Sequence, residues 1–319
     1  MRKHRVGIVG NFGVDLVFGK LPKLPDWGEE KVVRDRAEKA AGSAGYTAYT
    51  LGYLGIDPLV FGPLGNDHEA QLVSTELQYA GVSRQNLTIF EDQPTALSVT
   101  FVRGDGQRCF VTHPGNQALY GWVHLEPKLS ILKSLDLVLL SGYYLMPGLR
   151  GKASCKLFEI LQGAGVQTAL DVGGPSEGWT GTVRSELRDL LAVTDWFFPN
   201  EDEFAGMTGT TNIVTGGQKL LKLGTKNIVL KMGAKGACYT GLNESLICSA
   251  FEVESVQDTV GAGDAFNAGF IAALLRDCAI QKSLAYANST AAIYINDKSY
   301  PSWEVIRDFV EKNFKEPGI

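Results

Sequence analysis

Residues 258–270 read Asp258-Thr259-Val260-Gly261-Ala262-Gly263-Asp264-Ala265-Phe266-Asn267-Ala268-Gly269-Phe270, and Ile271–Leu275 extend them as an apolar helix. Two glycines ahead of a helix expose a row of backbone N–H groups at its positive end, a site for phosphate oxygens. Asp264 falls in that first turn. As a cap it would satisfy orphan N–H groups for ~1 kcal/mol. As a functional group it would be a base placed where an alcohol meets a phosphoryl group. The stretch alone leaves both open.

Outward from it, short apolar runs alternate with helical patterns. Strands are expected at Val6–Val9, Leu59–Gly62, Leu137–Leu140, Thr168–Val172, Trp196–Phe198 and Ile228–Lys231. Helices are expected at Ser43–Leu54, Glu69–Ala80, Lys152–Gln162, Val183–Ala192 and Gly216–Leu223. This order predicts an α/β fold: a mostly parallel, doubly wound sheet flanked by helices. Thr95–His113 alternates instead, around Gly104-Asp105-Gly106, as an antiparallel hairpin. The β-rich Lys31-Val32-Val33-Arg34 within Leu16–Arg36 could pair with it. The expectation is one domain over 1–319 with a small β-sheet lid, segments 16–36 and 95–113, inserted in it.

Composition narrows the function. In 319 residues, Lys+Arg 30 against Asp+Glu 35 gives net charge -5 without a basic block, so a general affinity for nucleic acid is not expected. Glycine is in excess, 37 residues, which suits tight turns and backbone close to a ligand. Five scattered cysteines without C-x-x-C argue for a reducing, cytoplasmic setting. No apolar run reaches the ~18 residues needed to span a bilayer, and Asn11 and Asp15 interrupt the N-terminal run that imitates a signal peptide. The chain lacks G-x-x-x-x-G-K-[ST], H-E-x-x-H and G-x-S-x-G; Phe266 stands where a dinucleotide fingerprint needs its third glycine. The four histidines have no metal-ligand spacing.

The stretch 258–270 resembles the second signature of the ribokinase-like (PfkB) carbohydrate kinase family, and the likeness runs through the chain in order. Gly10–Asp15 resembles the opening strand with its acceptor-binding aspartate, and Ala41-Gly42-Ser43-Ala44-Gly45-Tyr46 the first glycine-rich signature. Gly62–Asp67 resembles the G-x-x-G-x-D turn, and Pro114-Gly115-Asn116 the sugar-contacting stretch. Asn200-Glu201-Asp202-Glu203 is similar to N-x-x-E, and Lys231–Gly236 to K-x-G-x-x-G.

The resemblance implies an ATP-dependent kinase that moves the γ-phosphate to a hydroxyl of a small sugar or sugar-like acceptor. Asp264 would be the base, and Gly261, Ala262 and Gly263 the anion hole. ATP would meet Asn200, Glu203, Lys231, Gly233, Gly236, Thr259 and Asn288. Glu203 would orient Mg²⁺ through water, and Asp258 and Val260 are candidates for a monovalent cation such as K⁺. The acceptor would meet Asn11, Asp15, Gly42, Ser43, Tyr46, Arg108 and Asn116. Asn200–Glu203 reads equally as a capping box, and Gly233 and Gly236 as hairpin turns.

Departures bear on the acceptor. Ala41 replaces a signature glycine, Tyr46 replaces an asparagine, and Val172-Gly173-Gly174-Pro175 follows Asp171 where the family often has asparagine and a basic residue. Asp297-Lys298-Ser299-Tyr300 lacks the glycine–alanine pair beside the cation loop. Two rivals remain: a nucleoside kinase, with Tyr46 and Phe12 stacking on a base, and a catalytically silent sugar- or nucleoside-binding regulator, which the intact Gly261–Asp264 turn disfavours. Asn11, Asp15, Gly42, Ser43, Tyr46 and Asn116 include no cation, so a neutral polyhydroxy acceptor is expected, Arg108 marking a sugar acid as the exception. A detached lid sheet has edges to cover, which predicts a homodimer through the lid.

Overall fold

The computed structural model describes residues 5–104, 108–254, 259–297 and 299–314. An eight-stranded sheet runs, edge to edge, through Ser245–Cys248, Ala237–Gly241, Asn227–Lys231, Trp196–Phe197, Gln167–Asp171, Leu137–Ser141, Val6–Gly10 and Leu59–Phe61. The six strands from Asn227–Lys231 to Leu59–Phe61 pair in parallel, and the first two join antiparallel. That antiparallel edge was not among the expected strands; Gly233 and Gly236 make its hairpin turn, as one of their two readings had it.

Strand periodicity splits the core in two. Ile8, Leu139 and Val229 face one apolar cluster, shared with helices Ser43–Tyr53, Ala262–Leu274 and Ile280–Asp297. Their chain neighbours Val9, Leu140 and Ile228 face the other, under helices Lys152–Gly163, Gly181–Leu191 and Ile213–Leu223. A central strand buried on both faces needs such a continuous apolar run, and all five residues of Val6–Gly10 are buried. Helix Ser43–Tyr53 ends with Gly55 at φ 75 and a bond from Ile56 N to Leu51 O, a left-handed glycine stop.

A second sheet of four strands stands beside the first, in the order Arg36–Ala41, Gly13–Leu21, Ala96–Arg103, Arg108–His113. It is the lid sheet, with one correction. Lys31–Arg34 forms no strand; Val32 is 88% exposed, and pairing begins only at Arg36. Pro22, Pro25 and Gly28 carry the chain away from the sheet before it returns, so β propensity there finds no partner strand. Residues 105–107 of the hairpin turn lie outside the described residues. A short ribbon pairs Pro63–Gly65 with Thr88–Phe90.

The register sets the site. Gly10, Ser141 and Asp171 align at the carboxyl ends of their strands, and Asn200 bridges to Lys231 beside them. Ligands bind at this edge of open α/β sheets, and here the lid sheet and the Gly261 turn meet it.

Candidate active site

Gly261 has φ +81, a left-handed conformation that favours glycine, and helix Ala262–Leu274 starts directly after it. Ala262 N donates back to Thr259 O at 3.1 Å, which leaves the N–H groups of Gly263 and Asp264 as those of the first turn with no carbonyl four residues back in the helix. Asp264 is half-buried there, and among the described residues its carboxylate makes no capping hydrogen bond. The capping role therefore lapses. Desolvation and next the charge of Asp171 push its carboxyl well above the usual range; Lys231 opposes this, while Glu203 and Asp15 add to it.

Beneath the turn is a polar cluster. Lys231 Nζ donates to Asp171 Oδ2 at 2.6 Å, with both side chains nearly buried. Asn267, one turn beyond Asp264 on the same helix face, donates its amide to that same carboxylate oxygen. A Cβ built on Gly263 would lie 3.6 Å from Lys231 Nζ, so the ammonium stands directly against the turn. Burial alone would lower the Lys231 pKa, but the charges of Asp171 and Glu203 outweigh it and keep the ammonium charged. Asp171 and Asn267 were not among the expected site residues. The position of Asp171 at a strand end and the i, i+3 spacing of Asp264 and Asn267 are the signals that could have found them.

Glu203 is buried in the first turn of helix Glu201–Thr208. It closes a capping box: Asn200 N donates to Glu203 Oε2 and Glu203 N to Asn200 Oδ1, both at 2.9 Å. Desolvation, then the nearby Asp171, push its carboxyl up to about 7. The Asn200 Oδ1 atom is thus engaged in the cap, and the capping reading is met. Gly236 sits where a Cβ would strike the Cys248 carbonyl, and Asn288 donates to Cys248 O and Ser249 O at 3.1 Å. Both secure the edge hairpin, so their requirement is explained by packing.

The residues expected to meet an acceptor gather at the lid and the strand ends below it. Tyr46 donates its hydroxyl to Asp15 Oδ2 at 2.8 Å, and burial holds its pKa well above 10, so it stays a donor. The Tyr46 ring lies against Gly261 and meets Tyr294 edge-on. Gly42, at φ +94, leaves no room for a Cβ against the Asn11 carbonyl, and Ser43 opens the helix after it. Asn11 Oδ1, both amide atoms of Asn116, Thr100 Oγ1 and Ser141 Oγ are buried without a partner among the described residues. Buried polar groups are normally satisfied, so these atoms stand out, as do Tyr49, Tyr120, Tyr144 and Ser289 elsewhere in the fold. Phe12 is fully buried in the core and cannot stack on a base, which removes half of the nucleoside reading.

Arg108 reaches from the lid to Thr259 Oγ1 at 2.8 Å, just ahead of Gly261. Val260 lines a cleft that also reaches Tyr46, and Asp258 lies outside the described residues. One neighbour of Asp15 escaped sequence spacing altogether. Antiparallel register sets Lys39 directly across from Asp15, hence on the same face of the lid sheet.

Comparison with known proteins agrees with this architecture. The model of the pfkB family of carbohydrate kinases matches residues 16–301. The chain belongs to that family. It is 26% identical over 313 residues to the ATP-dependent ribose-1-phosphate kinase of Halopiger xanaduensis, covering 97% of this chain and 99% of that one. It is 27% identical over 301 residues to the ribokinase of Arabidopsis thaliana, covering 91% and 76%. Among solved structures, Arabidopsis ribokinase complexed with ribose and ATP superposes with TM-score 0.85 at 24% identity, covering 99% and 100%. Thermotoga maritima ribokinase does so with 0.81 at 22%, covering 96% and 99%. The pfkB fold is thus a ribokinase-like α/β sandwich with a lid sheet, and no described helix is long and apolar enough to cross a membrane.

Proposed function

We propose that this pfkB-family chain transfers the γ-phosphate of ATP to a hydroxyl of a small sugar-like acceptor, with Asp264 as the base. The observation that carries this is the half-buried, uncapped Asp264 carboxylate beside the Gly261–Gly263 turn, with the Lys231 ammonium against that turn. The ribose-1-phosphate kinase and ribokinase similarities support the substrate class.

The chemistry follows from the groups present. Asn11, Asp15 and Asn116 bind acceptor hydroxyls, and Tyr46 fixes the orientation of Asp15. Asp264 takes the proton of the attacking hydroxyl. The first-turn N–H groups and Lys231 face the negative charge of the transferring phosphoryl group, in fixed positions. Lys231 also favours the ionised form of Asp264, against its other carboxylate neighbours.

No group of three His, Cys, Asp or Glu side chains suited to a metal occurs among the described residues. That fits Mg²⁺, which keeps much of its water and is held by one or two carboxylates plus substrate phosphates. Glu203 is the hard oxygen donor in place for it, and the ion would supply charge neutralisation on the phosphates. For a monovalent cation the described residues offer Val260 alone of the two candidates.

The lid's outer strand Arg108–His113 exposes Phe110 and Val111, 53% and 65%, on an unpaired sheet edge. This supports pairing of the lid with a second copy. Activity with ATP, Mg²⁺ and a panel of sugars and nucleosides tests the function: sugar-dependent ADP release is expected. A nucleoside-only response or nucleotide-free sugar binding without turnover would overturn it.

A further inference from the structure

The buried run Ala265–Ala273 of helix Ala262–Leu274 contains a single polar side chain, Asn267, which is 0% exposed. Its Nδ2 donates to Asp171, while its Oδ1 is buried without a partner among the described residues. Leaving a buried polar atom unpaired costs about 1–3 kcal/mol, so leucine, of similar shape, would suit the packing of this helix better. Packing therefore leaves the asparagine unexplained. The placement of a charge explains it.

Asn267 follows Gly263 by four residues and Asp264 by three, so the three share one face of the helix. Facing them, the Asp171 carboxylate is held among the described residues by two donors, Lys231 Nζ at 2.6 Å and Asn267 Nδ2, both on Oδ2. Lys231 Nζ makes no other hydrogen bond among the described residues. A lysine stem is flexible and its ammonium has no fixed direction, so the charge stands where its acceptor holds it. The Asp171 side chain would itself be free to turn, taking Lys231 with it, were Asn267 not fixing it from a rigid helix. The chain of contacts returns to its origin: Lys231 Nζ lies 3.6 Å from the point where a Cβ on Gly263 would stand. One helix thus carries the glycine turn and also sets the position of the charge that faces it.

We propose that Asn267 is a positioning residue of the transfer site: it fixes the Asp171 carboxylate and, through it, holds the Lys231 ammonium against the Gly261–Gly263 turn. This deepens, and rests on, the phosphotransfer reading above. Asn267 is fully buried and acts through Asp171.

Asn267→Leu keeps the shape and removes the donor; Asn267→Ala removes it with less bulk and serves if leucine does not fold. With ATP, Mg²⁺ and the acceptor that wild type turns over best, kcat should fall about tenfold, the lower end for a hydrogen bond to a charged group. The acceptor KM should stay within about threefold, since the loss falls on the transfer step. In a crystal structure of the variant, Lys231 Nζ should be displaced from the turn by ~1 Å, a shift of the size that costs rate in a preorganised site. Placed on an Asp171→Asn, Lys231→Met background, Asn267→Leu should lower kcat no further. A packing role alone would lower the melting temperature and leave both kcat per folded molecule and Lys231 unchanged, and that result overturns the proposal. So does a second tenfold loss on the charge-free background, which would show that Asn267 acts independently of the pair. If wild type phosphorylates no acceptor, the kinase reading itself has failed. The crystal comparison then decides Asn267 separately: a displaced ammonium supports the positioning role, and an unmoved one refutes it.

Discussion

Lys231 Nζ lies 2.6 Å from Asp171 Oδ2 and 3.6 Å from the point where a Cβ on Gly263 would stand. One ammonium thus serves two purposes. It neutralises a nearly buried carboxylate, and it presents a positive charge to the turn that would hold the transferring phosphate. A lone charge in such a place costs several kcal/mol, so neither partner is expected to tolerate loss of the other.

Lys231→Met and Asp171→Asn should each destabilise the fold by about 3–5 kcal/mol, since each strands the other's charge. The double change should be less harmful than the sum, because it strands none. Calorimetric melting of the three variants checks this; strict additivity would show that the two residues act independently.

Asp264→Asn keeps the side-chain volume and removes the proposed base. The turnover number should fall about 10²–10⁴-fold while ATP binding persists. A variant retaining more than about a tenth of wild-type kcat would assign the proton transfer elsewhere.

Gly261→Ala places a Cβ 2.8 Å from the Tyr294 hydroxyl and 3.0 Å from the Tyr46 ring, at a φ of +81. Backbone strain of about 1–2 kcal/mol is expected. Because Tyr46 holds Asp15, its displacement should also raise KM for the acceptor more than KM for ATP. An unchanged acceptor KM would show that Tyr46 does not orient Asp15.

The raised Glu203 pKa of about 7 makes a signed statement about stability. The folded state holds this proton between the ordinary glutamate value and about 7, whereas the unfolded chain has released it. That stabilisation is complete below about pH 4.5 and is lost as pH rises through about 7, on the order of 1–3 kcal/mol. Glu203→Gln retains a residue that can close the capping box but cannot titrate. Melting of the nucleotide-free protein from pH 5 to 8 should therefore decline more steeply in wild type than in the variant. Parallel slopes would count against the shift.

A lid that pairs with a second copy should give a dimer at micromolar concentration, reduced to monomer by Phe110→Lys with Val111→Lys on the exposed edge. Sedimentation velocity reads this directly; a wild-type monomer would refute the pairing.

Local chemistry made much of this protein legible in advance. The alternation of apolar runs with helical patterns specified the parallel sheet, because a strand buried on both faces and a helix buried on one have different periods. The glycines at 261 and 263, Asp264 after them, and the Asn200–Glu203 box are contiguous, so their geometry follows from the backbone around them. Asp15, Tyr46 and Gly42 were likewise named, though spacing could not say that the Tyr46 hydroxyl would hold Asp15. What the chain order conceals is anything brought together by pairing. Asp171 and Lys231 are 60 residues apart and meet only because their strands, separated by Trp196–Phe197, run parallel and finish at the same edge of the sheet. Lys39 faces Asp15 only through strand register, where a slip of one residue would turn it to the opposite side of the sheet. Lys31–Arg34 has the composition of a strand but no partner within reach. Composition and spacing determined the elements and the glycine turn before Asp264; register and strand ends, properties of the assembled sheets, decided which charges meet beside that turn and along the lid.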